Sequence, residues 1–299
     1  MKLVVTGSAG FIGQNFVLKA LDEGYDVVGI DLKPKPSIFE CERYEHFQFS
    51  VTNQCKLELA FQDADACVHL AAQTSVATSE NRPIETLDVN LIGTINVIDA
   101  MKKQRNGQII FASSASIYGS TDILPISENH NKNPQSPYAI SKLLGEIYAN
   151  RIAQISDLNT VCLRFFNVYG MKPTNSLNDS GVIGQFIQEC KSRNVLSING
   201  KGTQTRDFIH VDDVVDSIMR SLKYKGSATF NIGSGVEISI KELAKMISNL
   251  AGGVQCVYNK SGHVGVSRSV ADISKAQNDL GWNPIYNLNE NLSNIMKEI

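Results

Sequence analysis

The hydrophobic positions of the first half of the chain fall into two alternating patterns. Short continuous apolar runs, such as Leu3-Val4-Val5 and Ile109-Ile110-Phe111, are strand-sized. Continuity rather than alternation marks strands buried on both faces. Between them, longer stretches place apolar residues three and four apart, the spacing of an amphipathic helix. The pattern predicts strands over 2–6, 26–31, 46–50, 66–70, 108–113 and 159–164. It predicts helices over 11–23, 55–62, 84–103 and 138–155. Such alternation builds βαβ units and a parallel sheet covered on both faces. After Gly170 the pattern becomes irregular, with helices expected near 181–193, 211–222, 240–251 and 273–280 and short strands between them. The expected fold class is α/β, a doubly wound parallel sheet with a smaller mixed lobe woven into it.

Composition narrows the function classes. The chain has 299 residues, 28 Lys+Arg against 30 Asp+Glu, 42% hydrophobic and 19% charged residues. That length supports a sizeable core, and the composition is that of an ordered globular protein. A net charge of −2 lacks the basic field of a nucleic-acid binder, so no nucleic-acid partner is expected. The apolar runs are too short to span a bilayer, and no membrane partner is expected. Met1-Lys2-Leu3-Val4-Val5-Thr6-Gly7 reaches a glycine loop too soon for a secretory signal. Cys41, Cys55, Cys67, Cys162, Cys190 and Cys256 are scattered, as are the histidines, so neither zinc spacing nor any other metal site is expected. The expected compartment is a reducing cytoplasm.

Two stretches carry candidate chemistry. The first strand runs into Thr6-Gly7-Ser8-Ala9-Gly10-Phe11-Ile12-Gly13, with a helix after it. Gly7, Gly10 and Gly13 permit a tight turn, close approach of a pyrophosphate, and close packing of helix on strand. The helix N-terminus offers its N–H groups to phosphates. Asp31 closes the second strand, where a carboxylate accepts hydrogen bonds from an adenosine ribose and repels a 2′-phosphate. It favours NAD over NADP, with Lys33 nearby acting against that preference; otherwise Asp31 is a solvated strand-end acid. Leu70-Ala71-Ala72 after the fourth strand either leaves room for a ligand or makes a tight turn.

In the second stretch, Tyr138 and Lys142 stand at i and i+4 on one helix face, and Phe111-Ala112-Ser113-Ser114 closes the fifth strand with a polar edge. An ammonium beside a phenol lowers the phenol pKa. A serine hydroxyl can then hold a substrate oxygen while Tyr138 moves its proton. The alternative is a surface Tyr–Lys pair.

With these pieces together the chain resembles the extended short-chain dehydrogenase/reductases, the nucleotide-sugar epimerase/dehydratase group. The matching segments span nearly the whole chain: TGSAGFIG (6–13), HLAA (69–72), DVNLIGT with Asn90, SSASIYG (113–119), PQSPYAISK (134–142), LRFFNVYG (163–170), RDFIHVDD (206–213), FNIGSG (230–235) and ADISKAQNDLGWNP (271–284). The resemblance implies a Rossmann-type NAD domain over 1–170 with a return segment about 206–235. It implies a nucleotide-sugar lobe over 171–205 and 236–299. It implies Ser114, Tyr138 and Lys142 as the catalytic set, with Phe11, Ile12, Leu32, Val51, Asn90 and Phe165 joining the cofactor residues above. On the substrate side it implies Asn167 and Arg206 at the diphosphate and Phe208 as a nucleotide wall, with His210 structural. It also implies a homodimer through 85–103 and 138–155.

The group divides at the two residues after the catalytic serine. Dehydratases of this group carry Asp-Glu there and decarboxylases a Glu at the second place, whereas this chain has Ala115 and Ser116. Without that acid, elimination lacks its proton donor. The resemblance then implies NAD-dependent 4-epimerisation of a UDP-hexose through a 4-keto intermediate, or reduction of a nucleotide 4-keto sugar with external NAD(P)H. A noncatalytic NAD-binding regulator is a third reading. Three departures stand out. The adenine-contacting Asp is replaced near Ser50-Val51. A phosphate-binding Arg is replaced by Lys260, with Arg268 as a substitute. Ser269, small at the position gating the C2 substituent, would admit UDP-GlcNAc/UDP-GalNAc beside UDP-glucose/UDP-galactose.

Overall fold

The structure, a computed structural model, describes residues 1–104, 107–173, 181–259 and 265–298. Among these the strands are β1 (Lys2–Thr6), β2 (Asp26–Asp31), β3 (Tyr44–Gln48), β4 (Ala66–His69), β5 (Gln108–Ser114), β6 (Asn159–Phe165), β7 (Asn167–Tyr169), β8 (Val195–Asn199), β9 (Thr205–His210), β10 (Ala228–Ile232), β11 (Glu237–Ser239) and β12 (Gln255–Asn259). The helices are α1 (Phe11–Asp22), α2 (Gln54–Ala60), α3 (Val76–Asn81), α4 (Pro83–Leu87), α5 (Gly93–Lys102), α6 (Pro137–Ile155), α7 (Val182–Arg193), α8 (Val211–Ser221), α9 (Ile240–Leu250), α10 (Ser274–Leu280) and α11 (Leu288–Glu298).

Seven strands form one sheet in the order β10-β6-β5-β4-β1-β2-β3. The pairs β1·β2, β1·β4, β2·β3 and β4·β5 are parallel. This is the doubly wound α/β sheet expected. Leu3, Val4, Val5, Ile109 and Phe111 are buried, as continuous apolar strands require. Strand order reverses at β1, which lies between β2 and β4, so the carboxyl ends of β1 and β4 make the switch point where ligands bind in such sheets.

The chain divides into two compact units. One comprises Met1–Ile117, Lys132–Arg164 and Val215–Phe230; the other comprises Tyr118–Asn131, Phe165–Val214 and Asn231–Ile299. In the first, Val4, Ile98, Ile109 and Phe111 belong to one apolar cluster with Leu57 and Phe61 of the α2 region. The second has its own core, with Phe186 and Ile187 of α7 against Leu196, Ile198, Leu243 and Ile247. Its small sheets run β11-β9-β7 and β12-β8. Trp282 is fully buried there and donates its indole N–H to the Asp213 carbonyl at 2.9 Å.

Three local expectations need correction. The third strand begins at Tyr44 rather than 46 and ends at Gln48 rather than 50. It is the sheet edge, and buried Tyr44 packs on Phe39 with ring centroids 4.6 Å apart. The helix expected over 84–103 is three pieces: α4, a wider π turn over Asp88–Ile92, and α5. The wider turn carries Asn90 inward, where it is buried. Helix α11, which the pattern did not single out, buries Leu288, Leu292 and Ile295 on one face.

Candidate active site

The glycine loop follows from contacts at single atoms. Gly7 has φ +72, and a Cβ there would meet the Ala71 nitrogen at 2.8 Å. A Cβ on Gly13 would meet the Gly7 carbonyl oxygen at 2.1 Å, so α1 can pack on the loop only with glycine. Gly10 precedes α1 as its N-cap with no side-chain cap, leaving the N-terminal end of Phe11, Ile12 and Gly13 receptive to an anion. Asp31 is tied to this loop: Oδ2 accepts the Ala9 N–H at 2.9 Å and Oδ1 the Lys33 N–H at 2.9 Å. Leu32 beside it is exposed. The Ala71 N–H donates to Thr6 Oγ1 at 3.2 Å, which joins the 70–72 segment to the end of β1.

Val51 is placed differently from the rest. Its side chain is buried, and its methyl lies 2.5 Å from where a Gly93 Cβ would be. Its carbonyl accepts from Asn96 Nδ2 at 3.2 Å. The Val51 side chain is therefore a core group.

Ser136 caps α6, its hydroxyl accepting the Ala139 N–H at 3.1 Å, and Pro137 starts the helix. This sets Tyr138 in the first turn and Lys142 one turn on. The Tyr138 and Ser114 hydroxyls are hydrogen-bonded, and Ser114 Oγ also accepts the Ser116 N–H at 3.2 Å. Lys142 Nζ donates to the Ala112 carbonyl at 2.8 Å and lies 5.3 Å from the centre of the Phe111 ring. Burial pulls the Lys142 ammonium down to about 8. Burial raises the Tyr138 phenol, opposed by the Ser114 hydrogen bond. From the i, i+4 spacing alone, the ammonium is expected to lower the phenol. In the structure loss of solvent dominates, and Lys142 is directed at Ala112.

Asn90 braces the same region. Its Oδ1 accepts the Gln73 N–H at 2.7 Å, and its Nδ2 donates to the Gln73 carbonyl and Ser141 Oγ, both at 3.0 Å. Two groups that sequence reasoning passed over complete the support. His69 links Thr6 Oγ1 at 2.6 Å to Thr94 Oγ1 at 2.9 Å, and burial pulls its imidazole down to about 3, so it is neutral. Ser116 Oγ is buried with no hydrogen-bond partner. Helical spacing from Asn90 would have found Thr94; no sequence signal marks the Ser116 hydroxyl.

The second unit holds the other candidates. Phe165, at the end of β6, is buried. Asn167 and Phe208 are cross-strand partners in the parallel β7·β9 pair, and Asn167 Nδ2 donates to the Asp207 carbonyl at 3.1 Å. Phe208 is buried in the unit's core. Arg206 Nη1 donates to the Thr205 and Val266 carbonyls at 2.6 and 2.8 Å, and burial lowers its pKa. Buried Asp207 accepts from Ser234, Gly235 and Ala271. Arg268 is engaged by Glu237 through Nε at 2.8 Å and Nη2 at 2.5 Å. Ser269 is buried. Lys260 lies outside the described residues. His210 stacks on Tyr286 with centroids 4.4 Å apart and meets Tyr169 edge-on.

A family model described as the NAD dependent epimerase/dehydratase family matches residues 3–233. The chain belongs to that family. A relative named putative UDP-glucose 4-epimerase from Methanocaldococcus jannaschii is 34% identical, over 98% of this chain and 97% of the relative. The crystal structure of UDP-glucose 4-epimerase from Thermotoga maritima, with UDP-glucose, matches with a TM-score of 0.93 and 30% identity, covering 100% of this chain and 98% of that one. The structure of UDP-glucuronic acid 4-epimerase from Bacillus cereus, in complex with UDP-glucuronic acid and NAD, matches with a TM-score of 0.90 and 29% identity, covering 100% and 99%.

The epimerase/dehydratase-family enzyme uses NAD. Its own residues fit that dinucleotide. The glycine cradle is one that a Cβ at 7 or 13 would fill, and Asp31 stands at the loop where a ribose diol would be read. Among the described residues no helix is long and apolar enough to cross a membrane.

Proposed function

We propose that this enzyme interconverts UDP-hexoses at C4. The observation carrying the reading is the bonded Ser114–Tyr138 pair one helical turn from buried Lys142, with Ala115 and Ser116 following Ser114 where no acid is present. Tyr138 takes the C4 hydroxyl proton and later returns it. Ser114 holds the same oxygen, because its hydroxyl already lies at the phenol. Lys142 supplies the positive charge that steadies the phenolate. NAD, when bound, supplies the reversible two-electron oxidation that makes C4 a ketone. Without an acid at 115 or 116, no side chain there is placed to expel water from the 4-keto sugar.

Asn167 and Arg206 serve the diphosphate in this reading, the guanidinium fork matching phosphate oxygens. Small Ser269 admits an N-acetyl group at C2. A homodimer is proposed through α6, whose Ile140, Leu144 and Ile147 are exposed together with Ile84 and Ile92. The reducing cytoplasm is the proposed compartment, in keeping with six free cysteines.

The test is incubation of the purified holoenzyme with UDP-glucose, UDP-galactose and their N-acetyl forms, with no cofactor added. Appearance of the 4-epimer supports the proposal; no 4-epimer from any of the four overturns it.

A further inference from the structure

Glu146 stands one helical turn beyond Lys142 on α6, and its partner Arg164 lies on β6. Their side chains are 5% and 4% exposed. The carboxylate accepts the Ser113 hydroxyl at 2.8 Å and Arg164 Nε at 3.0 Å, while Arg164 Nη2 bonds its other oxygen. One buried ion pair therefore joins α6, β5 and β6. Cys162 on β6 faces the same pair: its thiol is pushed up by burial and by Glu146, and drawn back by Arg164.

Stability alone is a weak reason for such a pair, because desolvation of both charges offsets most of their attraction. Its location gives a better one. Ser113 is covalently next to Ser114, and Lys142 is one turn from Glu146. Between them α6 descends on β5 at Gly145, where a Cβ would meet the Phe111 ring at 2.9 Å. The same ring lies under Lys142 Nζ. A glycine against a flat ring offers no steric stop to sliding, whereas a three-point hydrogen-bonded pair does.

We propose that Glu146 and Arg164 are positioning residues for the catalytic set. Their pair, with Ser113, fixes the register of α6 on β5. That register sets the approach of Tyr138 and Lys142 to Ser114. The inference rests on the proposed function only for its turnover readout.

The test uses the holoenzyme carrying Glu146→Leu together with Arg164→Met, which leaves no charge buried alone. Folding is checked by circular dichroism. The expected result is a folded enzyme with KM within about twofold of wild type and kcat lower by on the order of 100-fold, the scale of a misplacement near 1 Å. A second readout needs no substrate. The phenolate absorbance of Tyr138, identified by its loss in Tyr138→Phe, should titrate at higher pH in the double variant, because the Ser114 hydrogen bond that lowers it is loosened. Wild-type kcat with an unchanged phenol titration overturns the proposal. If the double variant does not fold, Ser113→Ala removes only the tie from β5 to Glu146, and the phenol titration is read again. An upward shift supports the proposal and no shift overturns it. Failure of wild type to epimerise any sugar would strike the proposed function and leave the phenol titration as the test here.

Discussion

Tyr138 and Lys142 face opposite consequences of the same burial, which raises the phenol and pulls the ammonium down to about 8. In the proposed reaction the pair works with one proton, as phenolate and ammonium. Burial brings the ammonium down to about 8, so Lys142 loses that charge as pH rises through about 8. The rate should therefore fall as pH increases through about 8, because the charge that steadies the phenolate is lost, measured as kcat/KM against pH. Tyr138→Phe should lower kcat by at least about 100-fold, the loss expected for a general base. Asp31 is the residue proposed to select the cofactor. Asp31→Ser should weaken NAD binding and lessen discrimination against NADP, read by titrating both cofactors. Each of these residues was legible in the sequence because its motif is local: a strand end, or one turn of helix. The Tyr138 pKa direction was not legible, since burial is set by the whole sheet. Neither was the buried Ser116 hydroxyl, which depends on where a short turn aims one atom.

Elements that touch themselves were read well, and elements shaped by distant partners were read poorly. Strands β1 and β2 match their expected bounds because buried parallel strands are continuous apolar runs. The 84–103 helix was read to within one residue at each end, but its π turn was not, because that turn carries Asn90 to Gln73 and Ser141. No periodicity within the helix reports them. The glycine loop yields the clearest prediction at this scale. Gly13→Ala places a methyl 2.1 Å from the Gly7 carbonyl, so α1 must shift off the loop. It should cost about 1–3 kcal/mol of stability and abolish NAD retention, seen as a lower Tm and loss of copurifying cofactor. Gly181→Ala, with nothing among the described residues within 4 Å of the added methyl, is the matched control and should leave NAD retention unchanged.

The molecule as a whole is two compact units traced by a chain that passes between them repeatedly. The doubly wound sheet was legible from the strand–helix alternation, while the second unit's small sheets were not, because β7 and β11 are only three residues each. The exposed apolar face on α6 should make wild type sediment as a dimer, and Ile147→Glu should move it toward monomer. The proposed 4-epimerisation by an acid-free Ser–Tyr–Lys site is read by proton NMR of the holoenzyme with UDP-glucose and, separately, UDP-galactose, without added NAD. Both reactions should reach the same mixture of the two 4-epimers. Unchanged sugars, or a 6-deoxy-4-keto product, would contradict it.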